Sequence, residues 1–90
     1  MLPLLLVIID FLIAGVHKAG SARVEQEVRR AVRDVEIADE WRFALLPSDQ
    51  SGRWDLGLGG PGGWSITTFD ATLEDLPQRA AAVVLQLLQT

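Results

Sequence analysis

An aspartate, a histidine and a serine, the residue types of a hydrolase triad, stand close together near the start of the chain. Asp10, His17 and Ser21 would share one stripe of a continuous helix. A rise of about 1.5 Å per residue, however, would separate Asp10 from His17 by about 10 Å along the helix axis. That distance is too long for the hydrogen bond that orients a catalytic histidine. The spacing therefore argues against catalysis and predicts a polar stripe.

Two other patterns are the glycine-rich stretch and the paired carboxylates. The stretch Gly57–Gly63 could suggest a phosphate-binding loop, but no Gly-Lys-Ser/Thr follows it and the next residues alternate like a strand. Asp39-Glu40 and Glu74-Asp75 are sequence neighbours of the kind that cap or solvate helix ends. One histidine and no cysteine give no transition-metal ligand set. We therefore predict no catalytic activity, no metal and no cofactor.

Length and composition predict one small domain that needs reinforcement. The chain has 90 residues, of which 49% are hydrophobic and 22% are charged, as is typical of folded chains. A domain of this size buries only about 60 to 65% of its unfolded surface. Because the chain contains no cysteine, disulfides are excluded, and association with another chain or with a bilayer remains as the source of reinforcement.

Charge is distributed unevenly along the chain. Up to Arg33, five basic residues face three carboxylates and leave a net charge of +2, whereas from Asp34 onward three arginines face nine carboxylates and leave −6. The acidic part should repel phosphate backbones. We therefore predict a protein partner, with nucleic acid disfavoured.

The opening run, Met1–Val16, is apolar except for Asp10. Its roughly 15 apolar residues fall short of the about 20 that span a bilayer, and an aspartate near the middle costs on the order of 2.5 to 3.5 kcal/mol on insertion. We predict a helix over about 4–19, buried against its own domain, a second copy or another protein. Two alternatives stay open: a membrane anchor that leaves the rest in the cytoplasm, and a buried strand over Leu4–Ile9.

Hydrophobic periodicity predicts the remaining elements. Apolar residues at helical spacing predict a helix over about 21–37, which Gly20-Ser21 would separate from the opening helix. A period of two then predicts a three-stranded antiparallel meander over about 41–69. A last helix is predicted over about 76–89, with Asp75 as its N-cap.

The strand register decides which side chains share a face of the sheet. Pairing Leu45 with Trp54, and Leu58 with Trp64, would separate an apolar face from a polar face. Both helices would cover the apolar face and give a two-layer α+β domain. The predicted apolar face holds Trp41, Phe43, Leu45, Trp54, Leu56, Leu58, Trp64 and Ile66, and the polar face holds Arg42, Arg53, Asp55, Ser65 and Thr67.

The order helix, three strands, helix is similar in topology to that of double-stranded-RNA-binding domains. Here Glu74 and Asp75 stand at the start of the last helix, where such domains need basic residues to meet phosphates. The resemblance therefore implies a topology, whereas these charges argue against RNA as a ligand.

Together these patterns predict a small, non-catalytic protein-interaction or assembly module in the cytoplasm. We divide it into an apolar N-terminal helix, 1–20, and a helix–three-strand–helix module, 21–90. The N-terminal helix would contact a larger partner or a second copy. A membrane-attached subunit with that helix in the bilayer is the alternative. The candidate interface residues are Leu5, Ile8, Ile9, Asp10, Leu12, Ile13, Gly15 and Val16.

Overall fold

The computed structural model describes residues 7–33, 35 and 40–89, which form a four-stranded sheet covered on one face by two helices. The strands lie side by side in chain order. The first two run parallel, and the other neighbours are antiparallel. The predicted α+β class with two helices is confirmed, but the sheet is mixed and has a fourth strand. The elements are β1 (Val7–Ile13), α1 (Lys18–Ala31), β2 (Glu40–Pro47), β3 (Arg53–Gly60), β4 (Gly63–Asp70) and α2 (Leu76–Leu88).

The opening segment contains a strand, so the predicted helix over 4–19 is wrong. β1 pairs with β2 and contains a bulge between Ile8 and Asp10. A strand that runs parallel to its neighbour is joined to it by a helical crossover and reads as a continuous apolar run. Such a run does not distinguish a buried strand from a buried helix by periodicity alone. The alternative strand over Leu4–Ile9 overlaps β1 only in part, and residues 4–6 lie outside the described part of the chain.

Helix α1 begins earlier than predicted because His17 caps it. The backbone N–H of Gly20 donates to Nδ1 of His17 at 2.9 Å, which satisfies one of the amides left free at a helix N-terminus. Gly20 and Ser21 therefore lie inside the first turn and do not separate two helices. The helix ends at Ala31; the prediction extended it to about residue 37, and residues 36 and 37 lie outside the described part of the chain.

The first hairpin differs from its predicted register without changing the faces of its strands. Leu45 pairs with Leu56, whereas the prediction paired it with Trp54. The strands meet at a turn where the N–H of Ser48 donates to the carbonyl of Arg53 at 2.9 Å. A shift of two residues keeps every side chain on the same face, so the predicted separation of faces holds for β2 and β3.

The second hairpin differs by one residue, and this shift reverses β4. Leu58 pairs with Ser65, whereas the prediction paired it with Trp64. Gly60 pairs with Gly63, so the hairpin closes over a short tip, and Gly63 adopts a φ of +109° that glycine tolerates best. The even-numbered residues of β4, from Trp64 onward, therefore lie on the face away from the helices, against the prediction.

The core lies between the helices and the face of the sheet that they cover. Trp54 is only 6% exposed, and its Nε1–H donates to the carbonyl of Ala71 at 3.2 Å, so its polar atom is satisfied. At the β1 end, the rings of Phe11 and Phe43 lie 5.3 Å apart. The buried apolar residues are Ile8, Val24, Val28, Val32, Phe43, Leu45, Trp54, Leu56, Leu58, Leu76, Ala80, Ala81 and Val84.

Helix α2 matches its predicted range closely, but its cap differs. The hydroxyl of Thr72 accepts the N–H of Asp75 at 3.2 Å, and the Asp75 side chain makes no capping hydrogen bond. Pro77 lies in the first turn, where its missing N–H costs nothing. In residues 7–33, 35 and 40–89, neither helix is long and apolar enough to cross a membrane.

Candidate protein-interaction face

The face of the sheet that points away from the helices, called here the open face, exposes large apolar side chains. Strand pairing aligns Leu12, Ala44, Gly57 and Ile66 in one uncharged row across all four strands. Leu12 is 59% exposed and Ile66 is 71% exposed. Contiguous apolar patches of this kind mark interaction sites. The described residues of the open face are Asp10, Leu12, Glu40, Arg42, Ala44, Leu46, Arg53, Asp55, Gly57, Gly59, Trp64, Ile66, Thr68 and Asp70.

Trp64 gives the open face a flat centre. Its indole lies across β3: a Cβ added at Gly59 would be 2.6 Å from Cε2 of the ring, and one at Gly57 would be 3.2 Å from Cε3. Glycine at position 59 therefore lets the ring lie against the backbone. Because Trp64 remains 55% exposed, one side of the indole packs on the sheet and the other is available to a partner.

Charged residues border the apolar row on both sides. On one side, Arg42 and Asp10 are neighbours in the register of β1 and β2. On the other side, Asp55 accepts a hydrogen bond from a threonine hydroxyl of β4 at 2.7 Å, and farther along Arg53 and Asp70 form an ion pair at 3.1 Å. Two arginines face three aspartates and Glu40, which leaves the described open face at −2, compared with −4 for the whole chain. The open face therefore carries both signs of charge with a moderate acidic excess.

The structure separates the interface candidates that the sequence suggested. Asp10 and Leu12 are exposed on the open face. Ile8 is 3% exposed in the core, and Ile13 and Val16 pack against the core. The bulge and the alternation of β1 therefore place some of the candidates on the open face and others in the core. A helix would have grouped them by its own period of 3.6 residues. Whether any of these residues contacts a partner stays a prediction.

The remaining candidates do not extend this face. Gly15 adopts a φ of +77° in the turn after β1, and a Cβ there would lie 2.8 Å from Cγ of Pro47. Glycine therefore serves the turn at this position. Leu5 and the side chain of Ile9 lie outside the described part of the chain.

Asp10, His17 and Ser21 lie in different places and do not form one site. Asp10 lies on the open face beside Arg42, whereas Nδ1 of His17 accepts the amide that caps α1. Ser21 donates its hydroxyl to the carbonyl of Val16 at 3.5 Å. Within the part of the chain that the structure describes, no three His, Asp or Glu side chains form a metal-binding cluster. The predicted lack of catalysis is not tested by this arrangement.

Sequence reasoning missed Trp64 and Ile66 as candidates for a contact surface. It assigned both to the core, because the alternation in β4 fits either face of the sheet. The signal that could have decided the register is the short Gly60–Gly63 turn, since loop length sets hairpin register. Because Trp64 is 55% exposed, its ring is accessible for stacking, and the argument against nucleic acid rests on charge.

Comparison with known proteins supports the fold. No protein-family model matches the chain, and no curated protein matches it significantly. Among solved structures, the chain is similar to the crystal structure of the Protein Y N-terminal domain of Thermus thermophilus, with a TM-score of 0.55 and 19% identity over 90% of this chain and 93% of that chain. At this identity the likeness shows a shared α+β fold alone.

Proposed function

We propose that this chain is a non-catalytic protein-interaction module whose contact surface is the open face of the sheet. The observation that carries the proposal is the exposure of four large apolar residues on that one face. Covering apolar surface stabilises an association by about 25 cal/mol per Å² before the costs of binding are subtracted. The four residues and their exposed fractions are Leu12 59%, Leu46 40%, Trp64 55% and Ile66 71%.

The proposal keeps the predicted function and changes the contact element. The sequence assigned the contact to an opening helix, but β1 occupies Val7–Ile13 and pairs with β2. Leu12 contributes to the contact as one residue of a sheet face and not as part of a helix. The membrane-attached alternative was built on the same opening helix; membrane association itself is untested.

Electrostatics favours a protein over a nucleic acid on this face. Nucleic acids bind where lysine and arginine neutralise several phosphates, and the described open face carries only Arg42 and Arg53 against four carboxylates. Arg53 is already paired with Asp70 at 3.1 Å. A single exposed indole supports stacking on one base, but without a surrounding positive field it does not hold a strand.

Site-specific photocrosslinking in the cells that naturally produce the chain tests the proposal. A benzophenone amino acid replaces Ile66 on the open face or, as the control, Gln86 on the exposed side of α2. We expect ultraviolet light to yield discrete protein adducts from position 66 and few from position 86. Equal yields from both positions, or no protein adduct from position 66, would contradict the proposal.

A further inference from the structure

We infer that the partner of the open face is a second copy of this chain, packed sheet against sheet around a two-fold axis. The inference rests on the proposed function, because it names the occupant of the same face. Three properties of the face support it: its area, its charge and the diagonal positions of the residues that would meet.

The open face is large enough for a specific dimer. Four strands about 4.8 Å apart, each of about 25 Å, present roughly 500 Å² in projection. Two copies would thus bury on the order of 1,000 Å², the area that a specific interface is expected to reach. Apolar faces of sheets also pack on one another in many folds, and the indole of Trp64 lies across β3 within this face.

The open face carries both signs of charge, so charges can pair across two copies. The described open face carries −2 of the net −4, from two arginines against three aspartates and Glu40. Two copies that met through a strongly acidic face would repel each other, since like charges placed opposite one another cost several kcal/mol. The two arginines of each copy limit this repulsion and supply positive charges that pair across the face.

The positions of Arg42 and Asp55 define the two-fold axis. Arg42 pairs with Gly59 across β2 and β3, and Asp55 lies four residues farther along β3, which separates the two side chains by about 14 Å. They are too far apart to pair within one copy. An axis in the plane of the face, perpendicular to the line that joins them, places Arg42 of each copy opposite the partner's Asp55. In an isologous interface this pair forms twice.

The same axis brings the apolar residues together without further adjustment. It places Trp64 beside the partner's Ile66 and Leu12 beside the partner's Leu46, each pair again formed twice. The strands of the two copies then cross at about 40° from antiparallel, as follows from the strand spacing and rise. Charge pairing and apolar contact therefore favour the same orientation.

Sedimentation equilibrium on the full chain tests the inference through charge reversal. We expect a dimer of the unaltered chain, and a dissociation constant about 100-fold higher for Arg42→Asp and for Asp55→Arg, because each places two like-charged pairs in the interface. An equimolar mixture of the two variants should dimerise again, since the mixed dimer restores both opposite-charge pairs. The double variant in one chain should also dimerise. The matched controls, Arg23→Asp and Glu74→Arg, change exposed charges off the open face and should leave the constant unchanged.

Each outcome separates the inference from the proposed function. If the purified chain stays monomeric at high concentration while position 66 crosslinks to other proteins, the second copy is wrong and the interaction module stands. If the chain dimerises but the mixture of variants does not recover dimerisation, another surface forms the dimer and the inference is overturned. Circular dichroism and urea unfolding of both variants establish that they are folded. If either is unfolded, Arg42→Gln and Asp55→Asn take their places, and these must weaken the dimer by at least threefold.

Discussion

On the covered face of the sheet, Phe43, Leu45 and Leu56 are at most 1% exposed, whereas on the open face Leu12 and Ile66 are 59% and 71% exposed. Both faces carry large apolar side chains on the same strands. Only the covered face has helices to bury them. The difference teaches that apolar residues on the covered face stabilise the single chain, while those on the open face remain available for association. Substitutions on the two faces should therefore affect different measurements.

The largest expected difference is between two tryptophans of the same hairpin. Trp54→Ala should lower the free energy of unfolding by about 3 to 5 kcal/mol, because Trp54 is 6% exposed and its indole N–H is hydrogen-bonded to Ala71. Trp64→Ala should cost about 1 kcal/mol, since only one side of the ring packs on the sheet. Urea unfolding of dilute protein measures both. Equal losses, or a larger loss for Trp64, would show that β4 has the register the sequence first suggested.

The tryptophans also show how far the sequence determines the sheet. The existence of three of the strands and the covered faces of β2 and β3 follow from their alternation, because the apolar set is unambiguous there. In β4 the set Trp64, Ile66 and Thr68 competes with Ser65, Thr67 and Phe69. The sequence prediction buried the more hydrophobic set, but the short turn fixes the register and exposes that set. The rule that the more hydrophobic set is buried fails where apolar side chains are exposed for a contact.

A smaller effect tests how Trp64 lies on the open face. Gly59→Ala should destabilise the chain by about 1 to 2 kcal/mol, because the new Cβ would lie 2.6 Å from the indole and displace it. In a Trp64→Ala background the same change should be neutral or stabilising by up to about 1 kcal/mol, since glycine in a strand costs conformational entropy. The double-mutant cycle measures the coupling. Additive effects would mean that the ring does not lie over position 59.

The helical layer that creates the difference between the faces begins at His17. His17→Ala should lower the free energy of unfolding by about 1 kcal/mol, because the N–H of Gly20 loses its acceptor at 2.9 Å. His17→Asn supplies another acceptor and is the matched control, with a smaller loss expected. Association through the open face should not change in either variant. A loss of dimerisation with His17→Ala would show that the two layers are not independent.

The start of the chain shows why the rest could not be predicted. An apolar run with one aspartate fits a helix, a strand or an anchor, and hydrophobicity alone does not choose among them. The choice depends on a partner distant in sequence: β2 pairs with β1 in parallel, and its Trp41 lies beside Ile8. This pairing also changes which residues are candidates for contact, because successive side chains of a strand point to opposite faces. Leu12 therefore points to the open face while Ile13 packs against the core.

The smallest effect on stability is expected at Asp10. Substitution of this residue should change association more than it changes stability. Asp10 is exposed on the open face, two residues before Leu12 on β1. Asp10→Leu should change the free energy of unfolding by no more than about 0.5 kcal/mol, as for most surface substitutions. It widens the apolar surface beside Leu12 on the edge strand β1, so solubility should fall or the stoichiometry seen by light scattering should change. If unfolding, solubility and stoichiometry all stay as in the unaltered chain, the β1 side of the open face takes no part in association, and the contact is confined to the side that carries Trp64 and Ile66.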